Sequence, residues 1–412
     1  MAIWKFNRGD WTEAYVFLRL LGDGRIHGAT SDLVKDELTF LDIINIIRDE
    51  PDKYLIFERY IENDEPYVKS SDGTNTIKII TAPELTEKAE HLYNLIKTVE
   101  GDRRRFSLPE IQSYLESIDV DSPKPSLSND AKEKYGAKTD IILTAKDSFD
   151  HVKTTNGFSI KSHLGSSPTL FNYSQTSGFV YKINNCDLNG MYTLNALDSF
   201  VEIINTIKKN YSLEYCGCRN DIFLQNMSII DSRMDEILQR ALLFQAGYLS
   251  DPSIKKLPEI GDALASDNPI KVKNPHVFYP AKLKALLFAT FAGMTASTEW
   301  NGRKKLTGGY IDVDKEGEML YYRAISDDVF ENYLYKHTYF DRPDRGVEKE
   351  LAVNVAKAKL FGNRDLSQEE INSIVYANGQ DGPRKPKKGD YGYVYQVGNE
   401  FYIAINFQIR FR

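Results

Sequence analysis

A chain of 412 residues with 42% hydrophobic and 27% charged side chains can build a large core, which excludes disordered and collagen-like classes. Its net charge of −7 argues against a passive nucleic-acid binder but leaves room for an enzyme that gathers carboxylates around a metal. Three cysteines, no apolar run long enough to span a bilayer and no signal-peptide pattern at Met1-Ala2-Ile3-Trp4-Lys5 set the expectation of a cytoplasmic protein without membrane contact.

Asp10 as N-cap, Glu13 at the third helical position and Gly22 as a stop predict a first helix over residues 10–21. Apolar periodicity predicts further helices over 40–48, 82–99 and 108–118. Residues 119–130, centred on Ser122-Pro123-Lys124-Pro125-Ser126, read as a linker. The run Ile141-Ile142-Leu143 and the segment 157–162 read as two strands joined by the polar stretch 147–156. Asn156-Gly157 is the turn signal just before the second strand. A third strand is expected over 177–183, then helices over 197–208 and 234–244. The C-terminal third predicts a buried helix over 281–293, a hairpin of 309–313 with 318–323, and a short helix over 327–337. A capping box, Ser367-x-x-Glu370, opens another helix that ends near Asn378-Gly379. A hairpin of 391–396 and 400–411, turning at Gly398-Asn399, closes the chain. The sum is an α+β fold with a mixed or antiparallel central sheet flanked by helices. Two regions are expected, a core over 1–245 and an α+β region over 246–412.

Folding the two central strands back on each other sets Asp140 roughly opposite Lys161, close enough to share a metal-bound phosphate. Each residue also has an ordinary reading. Asp140 serves equally as a turn-side aspartate at a strand start, and Lys161 as a solvent-facing strand residue on the face of Ser159. Phosphodiester hydrolysis needs a nucleophilic hydroxide at neutral pH and charge stabilisation at the phosphoryl oxygens. Carboxylate-held Mg²⁺ supplies both, with a lysine to orient or deprotonate the water. One aspartate makes a poor Mg²⁺ site and Ser159 adds no charge, so a second carboxylate is required.

Glu13 is the candidate, because Val16, Phe17 and Leu20 place it over the inward face of the first helix. A capping partnership with Asp10 remains open as its alternative role. Glu110 and Glu116, on a more polar helix, are weaker choices. The loop from His163 to Gln175 leaves the lysine strand and reads either as a structural Gly-Pro loop or as a DNA contact through Asn172, Ser174 and Gln175. Arg303 and Lys304 belong to a basic run, as do Arg103-Arg104-Arg105 and residues 384–388; each reads either as a phosphate contact or as a solvated loop. Cys216-Gly217-Cys218 lacks a partner pair at zinc-site spacing, and no P-loop is present.

The acid–lysine pair resembles the layout of PD-(D/E)XK phosphodiesterases, with Ser159 where the second acid usually stands. Three stretches resemble the HpaII-type restriction endonucleases, distributed over nearly the whole chain. They are Asn7-Arg8-Gly9-Asp10-Trp11-Thr12-Glu13, then Gly157-Phe158-Ser159-Ile160-Lys161-Ser162-His163-Leu164-Gly165, and Gly308-Gly309-Tyr310-Ile311 with Phe407-Gln408-Ile409-Arg410-Phe411. The resemblance implies a bacterial type II restriction enzyme with a restriction-endonuclease-like core, cutting double-stranded DNA with Mg²⁺. By position it makes Asp140 and Lys161 the core catalytic pair and Glu13 the helix-borne acid, with Asp140 and Glu13 on the metal and Ser159 in the second acid slot. The family's type member reads CCGG, and a palindrome implies a homodimer, with a DNA methyltransferase as genetic rather than physical partner. Residues 345–388 read as an insertion relative to the family. The competing expectation, supported by Ser159 and the negative charge, is a catalytically inactive DNA-binding or regulatory protein on a degenerate nuclease fold.

Overall fold

The computed structural model describes residues 3–99, 105–136, 138–149, 151–165, 167–172, 175–197, 199–250, 252–302, 308–324, 328–341 and 392–412. The helix expected at Ser367 and residues 345–388, expected to be an insertion, lie outside the described residues.

The chain opens with α1 (Arg8–Asp23), followed by β1 (Arg25–Ala29), β2 (Lys35–Glu50), β3 (Lys53–Glu62), β4 (Glu65–Ser71) and β5 (Thr76–Thr81). Helices α2 (Ala82–Thr98), α3 (Pro109–Ser117) and α4 (Asn129–Tyr135) lead to β6 (Ile141–Asp147) and β7 (Lys153–Ser162). Then come β8 (Thr169–Phe171), β9 (Gly178–Asn184), α5 (Leu188–Ala196), α6 (Phe200–Asn210) and β10 (Ser212–Cys218). Four helices follow, α7 (Asp221–Ile230), α8 (Met234–Ala246), α9 (Leu257–Asp267) and α10 (Pro275–Phe291). The remainder is β11 (Gly309–Val313), β12 (Met319–Arg323), α11 (Asp328–His337), β13 (Thr338–Asp341), β14 (Val394–Val397), β15 (Glu400–Asn406) and β16 (Gln408–Phe411).

These elements fall into two compact units, Met1–Pro168 with Arg303–Leu334, and Thr169–Gly302 with Tyr335–Arg412. The division therefore differs from the expected boundary near residue 245. The reason is backbone hydrogen bonding: β11 pairs in parallel with β7, and β12 pairs in parallel with β1, so a late hairpin belongs to the early sheet. That sheet has nine strands in the order β1-β12-β11-β7-β6-β2-β3-β4-β5. A further antiparallel pairing of β1 with β2 closes six of them into a ring. The second unit carries a sheet ordered β10-β9-β15-β14 and another ordered β13-β16-β8.

Two segments differ from the elements expected from the sequence. Residues 40–48 form part of strand β2, not a helix. Its pairing with β6 shifts between Ile43 and Asn45, so one extra residue separates the buried Ile43 from the buried Ile46. That bulge spaces two core residues three apart and imitates a helical period, while the β-branched run favours the strand. Second, Asn156-Gly157 lies inside β7, and the reversal falls between Asp147 and Lys153. Gly157 is required by close approach, since a Cβ there would meet Thr139 Oγ1 at 2.5 Å and Tyr135 Cβ at 2.8 Å.

α1 is buried on almost all sides, from Trp11 through Leu18 and again at Leu20 and Leu21. Its N-cap is Asn7, whose side chain accepts from the Asp10 N–H (2.9 Å) while Asp10 Oδ2 accepts from the Asn7 N–H (3.1 Å). The capping box thus sits three residues earlier than expected and releases Glu13 from any capping duty. Gly24, at φ 73°, ends the helix in the left-handed region.

Candidate active site

Four side chains singled out in the sequence meet in the first unit. β6 and β7 pair with Ile141 opposite Phe158, which continues to set Asp140 opposite Ser159 rather than Lys161. The Asp140 N–H donates to Phe158 O (2.8 Å), and Asp140 Oδ2 accepts from the Ile160 N–H (2.7 Å) and from Ser159 Oγ (3.0 Å). Lys161 Nζ in turn donates to Ser159 Oγ (3.1 Å). Ser159, only 2% exposed, therefore links the acid and the lysine that strand pairing leaves two residues apart. A carboxylate receiving a backbone N–H and a hydroxyl is held in one orientation, which answers the cost of setting it at the mouth of an apolar strand.

Glu13 reaches the same place from α1. It lines a pocket of about 10 Å³ together with Asp140, Phe17, Ile46, Arg48, Pro123 and Pro125. That volume is about the room of one water. The helix is pinned over the strand by Thr12 Oγ1 and Ser162 Oγ, hydrogen-bonded at 2.9 Å, and by Arg8 Nη1, which donates to Leu164 O (3.1 Å). Trp11 stacks on Phe106 and packs against Trp4 and Phe6, fixing the start of α1. Burial, reinforced by the Asp140 charge, pushes the Glu13 carboxyl up from 4.5 to about 8, although Lys124 pulls the other way.

Three cations surround these acids, and none of them is among the residues expected from the sequence to act in the site. Lys124 Nζ lies 3.3 Å from Glu13 Oε1. Arg48 is buried against Glu50 (2.7 Å) and donates to Ser122 O (2.9 Å), which ties down the linker-like loop. Lys138 is drawn down to about 8, first by burial and then by the Lys161 charge, with Asp140 opposing. A signal for Lys138 was present, because it stands two residues before Asp140, the spacing that repeats a strand face. For Lys124 the flanking prolines suggested only a linker.

Beside Lys161, in register on β11, stands Asp312. One of its oxygens accepts from His163 Nε2 (3.1 Å), Tyr310 OH (3.0 Å) and Tyr333 OH (3.1 Å). This buried network braces the end of β7 where the His163 loop begins.

The remaining sequence choices lie elsewhere. Glu110 pairs with His91 (3.1 Å) and Glu116 accepts from Gln112 (2.8 Å); neither lines the pocket. Asn172 is exposed just after β8 and belongs to the second unit, where Gln175 opens a short 3-10 turn, Gln175–Ser177. Ser174, Arg303 and Lys304 lie outside the described residues.

Among the described residues no group of three or more His, Cys, Asp or Glu side chains is placed to hold a metal. The candidate donors are Glu13 and Asp140, which line one pocket. Mg²⁺ is commonly held by one or two carboxylates, with water and phosphate oxygens completing the shell. Glu13 Oε2, buried and without a hydrogen-bond partner, supplies the unfilled oxygen that such an ion would satisfy. The residues present fit the ion.

The sequence matches the family described as HpaII restriction endonuclease over residues 7–349. The chain belongs to that family, a family of hydrolases acting on DNA. It is 29% identical over 415 residues to the type II restriction enzyme HpaII of Haemophilus parainfluenzae, with 98% of each chain covered. No solved structure matches the chain. No helix among the described residues is long and apolar enough to cross a membrane.

Proposed function

We propose that the protein is a type II site-specific deoxyribonuclease that hydrolyses double-stranded DNA with Mg²⁺ through a PD-(D/E)XK-type site. The reading rests on one observation above all: Glu13 and Asp140, far apart in sequence, line a single pocket to which Ser159 joins Lys161. Glu13 and Asp140 would hold the ion, which when bound supplies polarisation of the scissile phosphate and acidifies water. Lys161, oriented by Ser159, places its ammonium at the attacking water or at the developing phosphoryl charge. Ser159 stands in the second acid slot as an orienting hydroxyl, and the charge it lacks comes from α1. The second unit, with Asn172, Ser174 and Gln175, and the basic pair Arg303 and Lys304 are assigned to DNA contact. A short palindromic target, CCGG by family resemblance, calls for a homodimer with one site per strand, and for a cognate methyltransferase that protects the host.

Incubation of duplex plasmid with the protein and Mg²⁺ is expected to give discrete fragments whose mapped ends define the target, and EDTA is expected to stop cutting. Asp140→Ala and Lys161→Ala should each abolish cleavage while retention of DNA in gel shifts stays largely intact. A folded wild-type protein that binds DNA yet gives no fragments with Mg²⁺ would establish the inactive, regulatory reading instead. Near-normal cutting by Lys161→Ala would remove the site assignment.

A further inference from the structure

Lys124 has no part in the hydrolytic roles above, yet its ammonium stands where a cation of that site would be felt. Nζ lies 3.3 Å from Glu13 Oε1 and 3.6 Å from Asp10 Oδ1, and the Asp140 charge acts on it as well. The prolines on either side, Pro123 and Pro125, both line the pocket with Glu13 and Asp140, and their fixed φ angles limit how the loop can present the residue between them. Ser122 anchors the loop through the buried Arg48. The Lys124 side chain itself is 49% exposed, against 4% for Arg48, so it can leave the acids without opening the core. Glu13 contributes only Oε1 to this pairing, and Oε2 remains without a hydrogen bond.

Resting on the metal reading of the site, we infer that Lys124 is a built-in counter-ion of the Glu13–Asp140 pair, and that a divalent cation must displace it in order to bind. Once both carboxylates are ionised, the ammonium neutralises one charge of the site, whereas a divalent ion neutralises both and also satisfies the vacant oxygen of Glu13. The exchange makes the site cation-poor at rest and biases metal loading toward conditions in which Lys124 finds another anion.

The test uses the full chain without DNA, with Mn²⁺ as probe and free ion counted by its EPR signal at pH 8.5. Lys124→Ala is expected to bind Mn²⁺ about fivefold more tightly than wild type, the size of one partly exposed ion pair. Lys124→Arg, which keeps the charge, should bind like wild type, and Glu13→Gln should bind at least about fivefold more weakly. Thermal melting confirms that each variant is folded. If Lys124→Ala binds no more tightly than wild type while Glu13→Gln is weakened, the counter-ion role is overturned and the metal site stands. Unchanged affinity in Glu13→Gln removes the metal site and the counter-ion role together.

Discussion

Glu13 is the residue on which the pH behaviour of the site turns. In the folded chain it keeps its proton up to about pH 8, whereas an unfolded carboxyl releases it near 4.5. Across that window the folded state binds the extra proton, so this group's stabilisation is full below 4.5 and is lost as pH rises to about 8. Denaturation midpoints of the wild type should therefore fall more steeply over that range than those of Glu13→Gln; parallel slopes would show an ordinary carboxyl. Cation binding at Glu13 must expel the same proton, so apparent Mg²⁺ affinity is expected to climb with pH until about 8 and then level off. In the proposed site Ser159 would act differently, because it carries no charge and only bridges Asp140 and Lys161 by hydrogen bonds. Ser159→Ala should slow cleavage by about 10–100-fold with DNA affinity retained, the usual effect of removing a residue that orients a ligand. Loss of DNA binding in that variant would mean that Ser159 supports the strand rather than the chemistry.

At the scale of elements, the site depends on how closely β7 approaches the loop before β6. Gly157→Ala would drive a methyl into Thr139 and Tyr135 and is expected to cost on the order of 1–3 kcal/mol in chemical denaturation. Because Asp140 follows Thr139 directly, cleavage should fall further than the stability loss alone predicts. A neutral Gly157→Ala would show that the strand can shift away. Much of this level was legible in the chain. The strand pair, the helix that carries Glu13, α2, α3, and the β11–β12 hairpin all follow from local periodicity and turn chemistry. β2 was not legible as a strand, because its bulge sets Ile43 and Ile46 at a helical spacing and only pairing with β3 and β6 resolves the ambiguity. Asn156-Gly157 misled for a related reason: the glycine that makes a turn and the glycine that admits a close neighbour look alike in one dimension.

For the whole molecule, the decisive feature is the return of β11 and β12 to the first sheet. A fragment of residues 1–245, the first of the two expected regions, would leave β7 without its β11 neighbour and Lys161 without the Asp312 network beside it. Such a fragment is expected to lack a cooperative melting transition and native near-UV dichroism; a sharp transition at normal temperature would show that the hairpin is dispensable. A single linear cut near 245 cannot separate the units, since each is assembled from two stretches of chain.

Residue chemistry and local pattern alone determined that an acid opens an apolar strand, that a lysine follows a serine by two in the next, and that Glu13 rides on an inward helix face. Side-chain type and period are properties of neighbours in sequence, so they survive without coordinates. Only the tertiary structure decided that Asp140 faces Ser159 and reaches Lys161 through it, that Glu13 and Asp140 share one pocket, and that Lys124 stands against them. Register, burial and the meeting of distant segments are set by long-range packing, which no local window of sequence contains.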